Sequence, residues 1–375
     1  MARYALIGPT YPYRGGIAHY TTLLAEALRK QHEVLFISFS QQYPRWLFPG
    51  RSDRDPSARP LRTEAEYLLN PLNPWSWWRT LRRLREWRPE VVVIPWWVPF
   101  WAPAWSVLGR AIKRLPGQPR LLFVCHNVLP HEQGRLPWLL PWLTQFTLSP
   151  ADGFILHAAA DEQILREILP EANCRVTPIP TYAALGERET VLPVALPEGC
   201  PLLLFAGFVR PYKGLDVLLE ALPLVLAKRP LHLLVAGEFW QGTIPYQEQI
   251  NRLQIQHAVT LLNEYLPDEV LAACMKRADV VVLPYRSATQ SAVVQVAFGH
   301  GKPVITTNVG GLGEVVTQGQ TGLVVPPEDP AALAAAIERF FAEEMGPKMV
   351  EKIEAENGRF GWEKLVGQFE NLVLV

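Results

Sequence analysis

Residues 201–227 read PLLLFAGFVRPYKGLDVLLEALPLVLA, and this stretch decides the fold class. Its first part, Pro201–Ala206, is an apolar run typical of a buried strand, whereas Leu215–Ala227 carries apolar residues at helical spacing. The loop between them, GFVRPYKG, is bounded by glycines and holds Arg210 and Lys213. A helix N-terminus directs free backbone N–H groups and a positive dipole end at such a loop. The stretch therefore predicts a strand–loop–helix unit that binds a phosphate-like anion.

Strand-like apolar runs alternate with helical patterns on both sides of this unit, which predicts parallel sheets covered on both faces. The predicted strands are Arg3–Gly8, Val34–Phe39, Val91–Ile94, Leu121–Cys125, Gly153–His157, Arg175–Ile179, Leu202–Ala206, Leu231–Ala236, Val259–Leu262, Val280–Leu283 and Val304–Thr306. Four prolines in Pro178–Pro197 indicate a hinge. We therefore expect an α/β fold of two doubly wound, Rossmann-like domains facing a cleft. The first spans 1–185 and the second 190–358, with a helix at about 360–375 packing back on the first.

Composition limits the function classes. With 49% hydrophobic and 19% charged residues, the chain can bury large cores. Its 36 basic and 36 acidic residues balance, so nothing global indicates nucleic acid. Residues 1–180, however, hold 21 basic against 14 acidic residues, which suggests that this half meets an anionic partner or surface. Prolines interrupt the longest uncharged run, Val91–Leu108, and exclude a transmembrane helix there.

The four cysteines lie far apart in the sequence, without a CxxC pair. This spacing is typical neither of a zinc site nor of a disulfide framework, and it fits a reducing cytoplasm. The N-terminus is too short and too weakly apolar for a signal peptide. We therefore expect a cytoplasmic protein.

Three further loops at predicted strand ends carry polar or flexible residues. The first holds Gly15 and Gly16, although a tight βα turn explains these glycines equally well. The second, CHNVLPHE at 125–132, holds a polar cluster that consists of His126, His131 and Glu132. Either histidine could instead cap backbone groups, and a metal site lacks a third ligand with recognisable spacing. In the third, LPYRSATQSAV at 283–293, Ser291 is an N-cap candidate that would direct the amides of Ala292 and Val293 at a ligand.

Taken in order, these motifs resemble the family 4 glycosyltransferases of the GT-B fold, which are retaining enzymes that use nucleotide sugars. The matching segments are Arg14-Gly15-Gly16, His126, Arg210 to Gly214, Asp279–Tyr285, Gly301–Ile305, Gly310 to Glu314 and Thr321–Leu323. The resemblance implies that the N-terminal domain binds the acceptor and the C-terminal domain the nucleotide sugar. It places Arg210, Lys213, Gly15 and Gly16 on the donor diphosphate, and His126 at the sugar as the catalytic residue.

The chain departs from the family pattern in two respects. Phe208 stands where the family has an arginine, and Ala288 and Val296 replace a pair of glutamates. Gln290, Gln295 and Glu314 are candidates for contacts with the donor sugar or ribose. Cationic side chains and helix amides can stabilise a departing diphosphate by themselves, so we expect no metal and no cofactor. The triplet Asp53-Arg54-Asp55 resembles the metal-binding DxD of another glycosyltransferase fold, but its Arg- and Pro-rich surroundings predict a solvated surface.

The N-terminal half is also rich in tryptophan, and Trp96, Trp97 and Trp101 follow a predicted strand. Their aromatic faces are candidates, with His131 and Glu132, for contacts with an acceptor. The predicted helix Pro74–Arg88 places tryptophan and leucine on one face and arginines on the other. This pattern fits a crossover helix packed on the sheet, and it also fits a helix at a lipid surface.

These features predict a retaining glycosyltransferase that moves a sugar from a nucleoside diphosphate donor to a cell-surface polysaccharide or glycolipid. The expected partners are a nucleotide sugar, a saccharide or lipid-linked acceptor, and the inner membrane surface through the N-terminal half; nucleic acid is not expected. The missing glutamates keep an alternative open, namely a catalytically silent relative that binds a sugar nucleotide or a partner in an assembly complex.

Overall fold

The computed structural model describes residues 1–44, 50–130, 138–183, 185 and 190–374. Within them the chain forms two compact units. The first comprises Met1–Asp55, Leu61–Pro178 and Gly361–Val375, and the second comprises Pro56–Pro60 and Ile179–Phe360. The change from one unit to the other after Pro178 falls at the start of the proline-rich segment.

The strands are β1 Arg3–Ile7, β2 Glu33–Phe39, β3 Glu66–Leu69, β4 Val91–Trp96, β5 Arg120–Cys125, β6 Gly153–Leu156, β7 Cys174–Val176, β8 Leu202–Ala206, β9 His232–Ala236, β10 Val259–Leu262, β11 Val280–Leu283, β12 Val304–Thr307 and β13 Gly322–Val325. The helices are α1 Gly16–Arg29, α2 Pro74–Trp87, α3 Ala102–Ile112, α4 Leu139–Leu148, α5 Ala159–Ile168, α6 Leu215–Leu226, α7 Ile244–Arg252, α8 Asp268–Arg277, α9 Ala292–Gly299, α10 Leu312–Val315, α11 Pro330–Ala342, α12 Met345–Glu356 and α13 Trp362–Val373.

Each unit contains one parallel sheet. The order in the first is β3-β2-β1-β4-β5-β6-β7, and the order in the second is β10-β9-β8-β11-β12-β13. In both sheets the chain winds outward from a central strand in two directions, which confirms the expected fold class of two doubly wound α/β domains. In β4 and β8 every residue is buried, as expected for strands covered by helices on both faces.

The last helix, α13, belongs to the first unit. It packs against α1, and its buried side chains include Leu365, Phe369 and Leu372. The ammonium of Lys30 lies 2.7 Å from the carboxylate of Glu363, which ties the end of α1 to the start of α13. The helix therefore completes the layer that α1 begins.

One sequence-based interpretation needs extension. The segment after β4 was interpreted as a loop, but it forms a 3-10 turn at Pro99–Trp101 and then α3. Its prolines lie at the starts of these turns, where proline is tolerated, rather than inside a helix. None of the helices among the described residues is long and apolar enough to cross a bilayer.

Candidate functional site

In the second unit, the loop between β8 and α6 meets the first turn of α9 at Gly207. Gly207 follows β8 with a φ of +97°, a backbone conformation that L side chains rarely adopt. A Cβ at this position would lie 3.1 Å from Nζ of Lys213 and 3.4 Å from a methyl carbon of Val293 in the first turn of α9. The end of β8, the loop before α6 and the start of α9 thus enclose one point at the carboxyl edge of the sheet. Lys213 and Val293, both predicted to bind the diphosphate, are thus brought together.

Lys213 is a buried cation at this point. Its side chain is only 8% exposed, its Nζ lies 5.2 Å from the centre of the Tyr285 ring, and it forms no ion pair with any residue that the structure describes. Burial lowers the pKa of Lys213 below its ordinary value, and the nearby Arg210 lowers it further. A buried ammonium without a carboxylate is costly, and a bound anion would offset that cost.

Arg286 fixes the loop that carries Lys213. Its guanidinium donates to both carboxylate oxygens of Asp216, at 2.8 and 2.6 Å, and to the carbonyl oxygen of Pro211 at 2.7 Å. Its backbone N–H donates to the carbonyl oxygen of Tyr212 at 2.7 Å. Burial of Asp216 opposes ionisation, but the Arg286 hydrogen bonds prevail and lower the pKa of this carboxyl group. Arg286 is a positioning residue that the sequence analysis missed.

A close contact with the backbone of Pro284 also holds the loop that carries Lys213. A Cβ on Gly214 would lie 2.0 Å from the carbonyl oxygen of Pro284, so only glycine permits this contact. The loop between β8 and α6 is therefore held against the end of β11 by backbone packing as well as by Arg286.

The N-terminus of α9 supplies backbone donors. Ser291 occupies the N-cap position, as expected, but its side chain makes no capping hydrogen bond. No group among the described residues accepts a hydrogen bond from the amides of Ala292 or Val293. Two free amides at the positive end of a helix dipole can bind an anion. The geometry thus fits the predicted contact of these amides with phosphate.

The predicted cation Arg210 lies among aromatic rings. Its guanidinium carbon lies 4.6 Å from the ring centre of Trp240 and 5.5 Å from that of Tyr212. Phe208, which replaces the arginine of the family pattern, contacts Trp240 and Tyr265 at centroid distances of 4.9 and 5.8 Å. An aromatic cluster thus follows the ends of β8, β9 and β10. It offers flat rings to a planar ligand, which no sequence motif indicated.

The remaining predicted contacts of the second unit are dispersed. The side chain of Gln290 donates to the carbonyl oxygen of Gly311 at 3.0 Å and joins the loops before α9 and α10. Gln295 is fully buried, and neither atom of its amide has a partner among the described residues. Glu314 is exposed in α10. The roles of these three residues at a sugar or ribose stay predictions.

In the first unit, the Gly15–Gly16 loop contacts a segment that the sequence analysis placed on the solvated surface. Gly15 is the N-cap of α1, and Gly16 is its first residue. The backbone N–H of Arg14 donates to the carbonyl oxygen of Asp53 at 3.1 Å. The Asp55 side chain is 3% exposed, with a carboxylate oxygen 3.7 Å from Nε2 of His19 in α1. The surface interpretation of Asp55 is therefore wrong, because this carboxylate packs beneath the glycine loop.

A cavity of about 590 Å³ lies beside this segment, at the carboxyl end of β2. Its lining is polar and consists of Ser40, Gln41, Tyr43, Gly50, Arg51, Ser52, Asp53 and Arg54. A cavity of this volume is large enough for a small polar ligand.

His126 directly follows β5, and its backbone N–H donates to the carbonyl oxygen of Trp96 at 2.9 Å. Its ring packs edge-on against Tyr20 at 4.6 Å and lies 5.4 Å from the ring of His157. Burial lowers the pKa of His126 well below 6.5, and the neighbouring His157 adds to the shift. The imidazole is therefore neutral near pH 7, and it can exchange hydrogen bonds with hydroxyl groups without carrying charge.

Other acceptor candidates are not supported. Trp96 and Trp101 are at most 1% exposed and belong to the core of the first unit, so the interpretation of their faces as acceptor contacts is wrong. The sequence did not reveal that Trp96 ends β4 and that the following 3-10 turn buries Trp101. Trp97 is 8% exposed, and its indole N–H donates to the hydroxyl of Tyr43 at 2.9 Å. His131 and Glu132 lie outside the described residues.

Comparison with known families gives two matches along the chain. Residues 15–181 match the family described as Glycosyl transferase 4-like domain. Residues 200–343 match the family described as Glycosyl transferases group 1. The two matches flank the proline-rich segment after Pro178 and together include the loops described above.

Among curated proteins, the chain is similar to D-inositol 3-phosphate glycosyltransferases. It is 29% identical to that of Streptomyces coelicolor over 236 residues, which cover 58% of this chain and 51% of the relative. It is 28% identical to that of Corynebacterium urealyticum over 269 residues, which cover 67% of this chain and 63% of the relative. The chain thus spans about half the length of the curated relatives it matches.

Among solved structures, sucrose-phosphate synthase from Thermosynechococcus elongatus aligns with a TM-score of 0.73 and 21% identity, over 99% of this chain and 98% of that chain. Anabaena HepE in complex with UDP-glucose aligns with a TM-score of 0.69 and 16% identity, over 98% of this chain and 99% of that chain. These likenesses extend over both units and show the shared fold.

Proposed function

Because the chain belongs to the group 1, family 4 glycosyltransferases, we propose that it transfers a sugar from a nucleoside diphosphate donor to an acceptor. We further propose that the reaction retains the configuration at the anomeric carbon. The acceptor is a saccharide or a lipid-linked saccharide of a cell-surface polysaccharide or glycolipid, and the protein works at the inner face of a membrane.

One observation carries the donor part of this proposal: Lys213 and the first turn of α9 meet beside Gly207. As the sugar leaves, negative charge accumulates on the nucleoside diphosphate. A buried ammonium and fixed amides stabilise that charge without reorganisation, which is commonly a large part of catalysis. With these groups in place, the reaction requires no metal ion. UDP and UDP-glucose, which solved relatives hold, are the first donors to test.

The first unit contributes two features to the proposal. The imidazole of His126 stays neutral because protonation in so buried a place is unfavourable, so it can hydrogen-bond a sugar hydroxyl without carrying charge. The 590 Å³ cavity beside β2 has a polar, arginine-bearing wall, which suits a hydroxylated or anionic acceptor. The curated relatives named for inositol 3-phosphate and the sucrose-phosphate synthase fit an acceptor of that chemistry.

A thermal-shift screen of nucleotide sugars tests the proposal directly. A ligand at 100 times its dissociation constant stabilises the folded state by about 2.7 kcal/mol, so the cognate base is separable from the others. The best donor is then incubated with candidate acceptors, and proton NMR of the product measures the anomeric configuration. Absence of binding by every nucleoside diphosphate would refute the proposal, and an inverted product would refute retention alone.

The second candidate function is that of a silent relative that binds a sugar nucleotide without transfer. It is favoured by the two positions that replace the glutamates of the family, since Ala288 and Val296 are buried and apolar. Donor hydrolysis distinguishes the two functions. Slow release of free sugar by the unaltered protein, lost in His126→Ala while nucleotide binding persists, would exclude the silent relative.

A further inference from the structure

Helices α2, α3 and α4 form one layer on one face of the first sheet. They join β3 to β4, β4 to β5 and β5 to β6, so all three crossovers run in the same direction along the sheet. Because such crossovers are right-handed, the three helices lie on the same face, whereas α1 runs the opposite way and lies on the other. Contacts of α3 with both α2 and α4 confirm a continuous layer.

The solvent side of this layer is aromatic. Every exposed tryptophan and phenylalanine among the described residues lies in α2, in α4 or at the start of α4. We call them the aromatic surface, which consists of Trp75, Trp78, Trp138, Trp142 and Phe146. The rings of Trp75 and Trp78 stack at 4.9 Å, and those of Trp142 and Phe146 stack at 5.6 Å. Trp75 is 66% and Trp142 is 58% exposed.

Helix α4 lacks the charged face of an ordinary surface helix. Its sequence, LLPWLTQFTL, contains no charged residue, and the following residues to position 151 add none. A helix on a protein surface normally pairs an apolar stripe with a charged one. In α4 the buried side is formed by Thr144, Thr147 and Leu148, and the outward side carries Trp142 and Phe146. Contiguous exposed apolar surface of this kind marks an interaction site.

Positive charge surrounds the aromatic rings. Residues 70–118 contain eight basic residues but only two acidic ones. Arg79, Arg85 and Arg114 are exposed and form no ion pair within the described part of the chain. Arg110 on α3 lies over the Phe146 ring at 3.9 Å. Tryptophan rings flanked by arginines match the headgroup region of a bilayer, where amphipathic rings and lipid phosphates lie at the same depth.

We propose that the exposed faces of α2, α3 and α4 form a docking surface for a bilayer that contains anionic lipids, with the aromatic surface inserted among the headgroups. The unpaired arginines favour an anionic bilayer over a neutral protein partner. Each arginine near an anionic membrane contributes about 1 kcal/mol to the free energy of binding. The inference deepens the acceptor part of the proposed function by assigning the membrane contact to particular residues.

The placement of the rings relates this surface to the predicted acceptor side. In a parallel sheet, each helix that follows a strand begins near the carboxyl end of that strand. Trp75 and Trp78 lie in the first turns of α2, and Trp138 and Trp142 lie at the start of α4. His126 directly follows β5 at the same edge of the sheet. A docked bilayer would therefore lie beside the edge of the first unit at which a lipid-linked acceptor must arrive.

Vesicle flotation of the full chain without nucleotide tests the proposal. We expect flotation with vesicles of phosphatidylcholine and phosphatidylglycerol at low salt, weaker flotation with phosphatidylcholine alone, and release by added salt. The double variant Trp142→Ser, Phe146→Ser should lower the bound fraction about tenfold, because two apolar rings no longer leave water. The double variant Arg79→Gln, Arg85→Gln should reduce the preference for phosphatidylglycerol.

The matched control is Leu224→Ser, Ile244→Ser, which changes two exposed apolar side chains of the second unit and should leave flotation unchanged. Nucleotide-induced thermal stabilisation, measured without vesicles, should be equal in all variants, so loss of docking is separable from failure of the proposed function. Absence of flotation with phosphatidylglycerol, or equal flotation of the Trp142, Phe146 variant, would overturn the proposal. A dimer in solution that this variant dissociates would also overturn it, because the surface would then join two copies of the chain.

Discussion

The two units bury different titratable groups at the carboxyl ends of their strands. In the second unit the buried group is Lys213, whose pKa is lowered by burial from an ordinary value of 10.5. In the first unit the buried groups are His126 and His157, and burial lowers the pKa of His157 from 6.5 to about 4. The same cause therefore leaves a cation in one unit and neutral rings in the other. Lys213 of the second unit is therefore suited to an anion, whereas the buried histidines of the first unit are suited to neutral hydrogen-bonding groups.

The largest expected effect comes from removing that cation. Lys213→Met should weaken binding of a nucleoside diphosphate about 100-fold, because a charged hydrogen bond in a buried place is lost. It should not lower the free energy of unfolding of the free protein, because an unpaired buried charge disappears. Isothermal titration calorimetry and chemical unfolding measure the two effects.

The matched control for this prediction is Lys302→Met. Lys302 is a partly buried lysine just before β12, hence at the amino edge of the same sheet, and its Nζ donates to the carbonyl oxygen of Lys276 at 3.0 Å. Nucleotide affinity should stay within about twofold of the original, since the residue lies at the edge opposite Lys213. Equal losses of nucleotide affinity in Lys213→Met and Lys302→Met would contradict the role assigned to Lys213.

The second prediction concerns how the stability of the first unit depends on pH. His157 is buried and its Nδ1 lies 2.8 Å from the carbonyl oxygen of Thr177, which opposes the effect of burial on its pKa only in part. With a folded pKa of about 4 below an unfolded value near 6.5, its contribution to stability is complete above pH 6.5 and is lost as the pH falls toward 4. The loss between pH 6.5 and 5 should be about 2 kcal/mol.

Urea unfolding at the two pH values measures this loss. His157→Phe should make the pH dependence of the first unit less steep, with the remainder due to His126, whereas His257→Phe, at an exposed position of the second unit, should leave it unchanged. A pH dependence that is equally steep in His157→Phe would show that the ring is not the group that titrates.

The sequence predicted most strands of both units but missed an edge strand and a helix of the first unit. The strands of both sheets were predictable because buried parallel strands are apolar runs, such as those of β8 and β11. The edge strand β3 was not, since three of its four residues are at least partly exposed and leave no apolar run. Helix α4 was missed because its own apolar residues lie on both its exposed and its buried face, so its sequence shows no helical periodicity.

Site residues were predictable where chemistry lies in one loop, as for Lys213 between its two glycines. Site residues were not predictable where the chemistry depends on contacts between segments that are distant in the sequence. Arg286 and Asp216 are 70 residues apart, and their ion pair follows from the packing of α6 beside β11 rather than from a motif. Asp55 was misplaced for the same reason, because its loop folds back on the start of α1.

The third prediction tests whether Arg286 preorganises the cationic loop. Arg286→Gln should lower the free energy of unfolding by about 1 kcal/mol, a modest loss because Asp216 and Arg286 are partly exposed to solvent. Nucleotide affinity should fall about fivefold, since the carbonyl of Pro211 and the first turn of α6 lose their common donor. Adding Asp216→Asn should cost little more, because the two residues act as a pair. The control is Arg252→Gln, which breaks an exposed ion pair with Glu220 and should leave affinity unchanged.

The smallest effect is expected at Gly207, where the backbone rather than a side chain shapes the site. Gly207→Ala places a Cβ 3.1 Å from Nζ of Lys213 at a φ of +97°, so it should destabilise the second unit by about 1 kcal/mol. It should also weaken nucleotide binding about threefold, because the ammonium must shift. Gly367→Ala is the control: Gly367 lies in α13 of the first unit with no atom within 4 Å of the added methyl group, and alanine there should stabilise the helix. A Gly207→Ala protein with unchanged nucleotide affinity would show that Lys213 has room to move, and the cation would then be less preorganised than its burial implies.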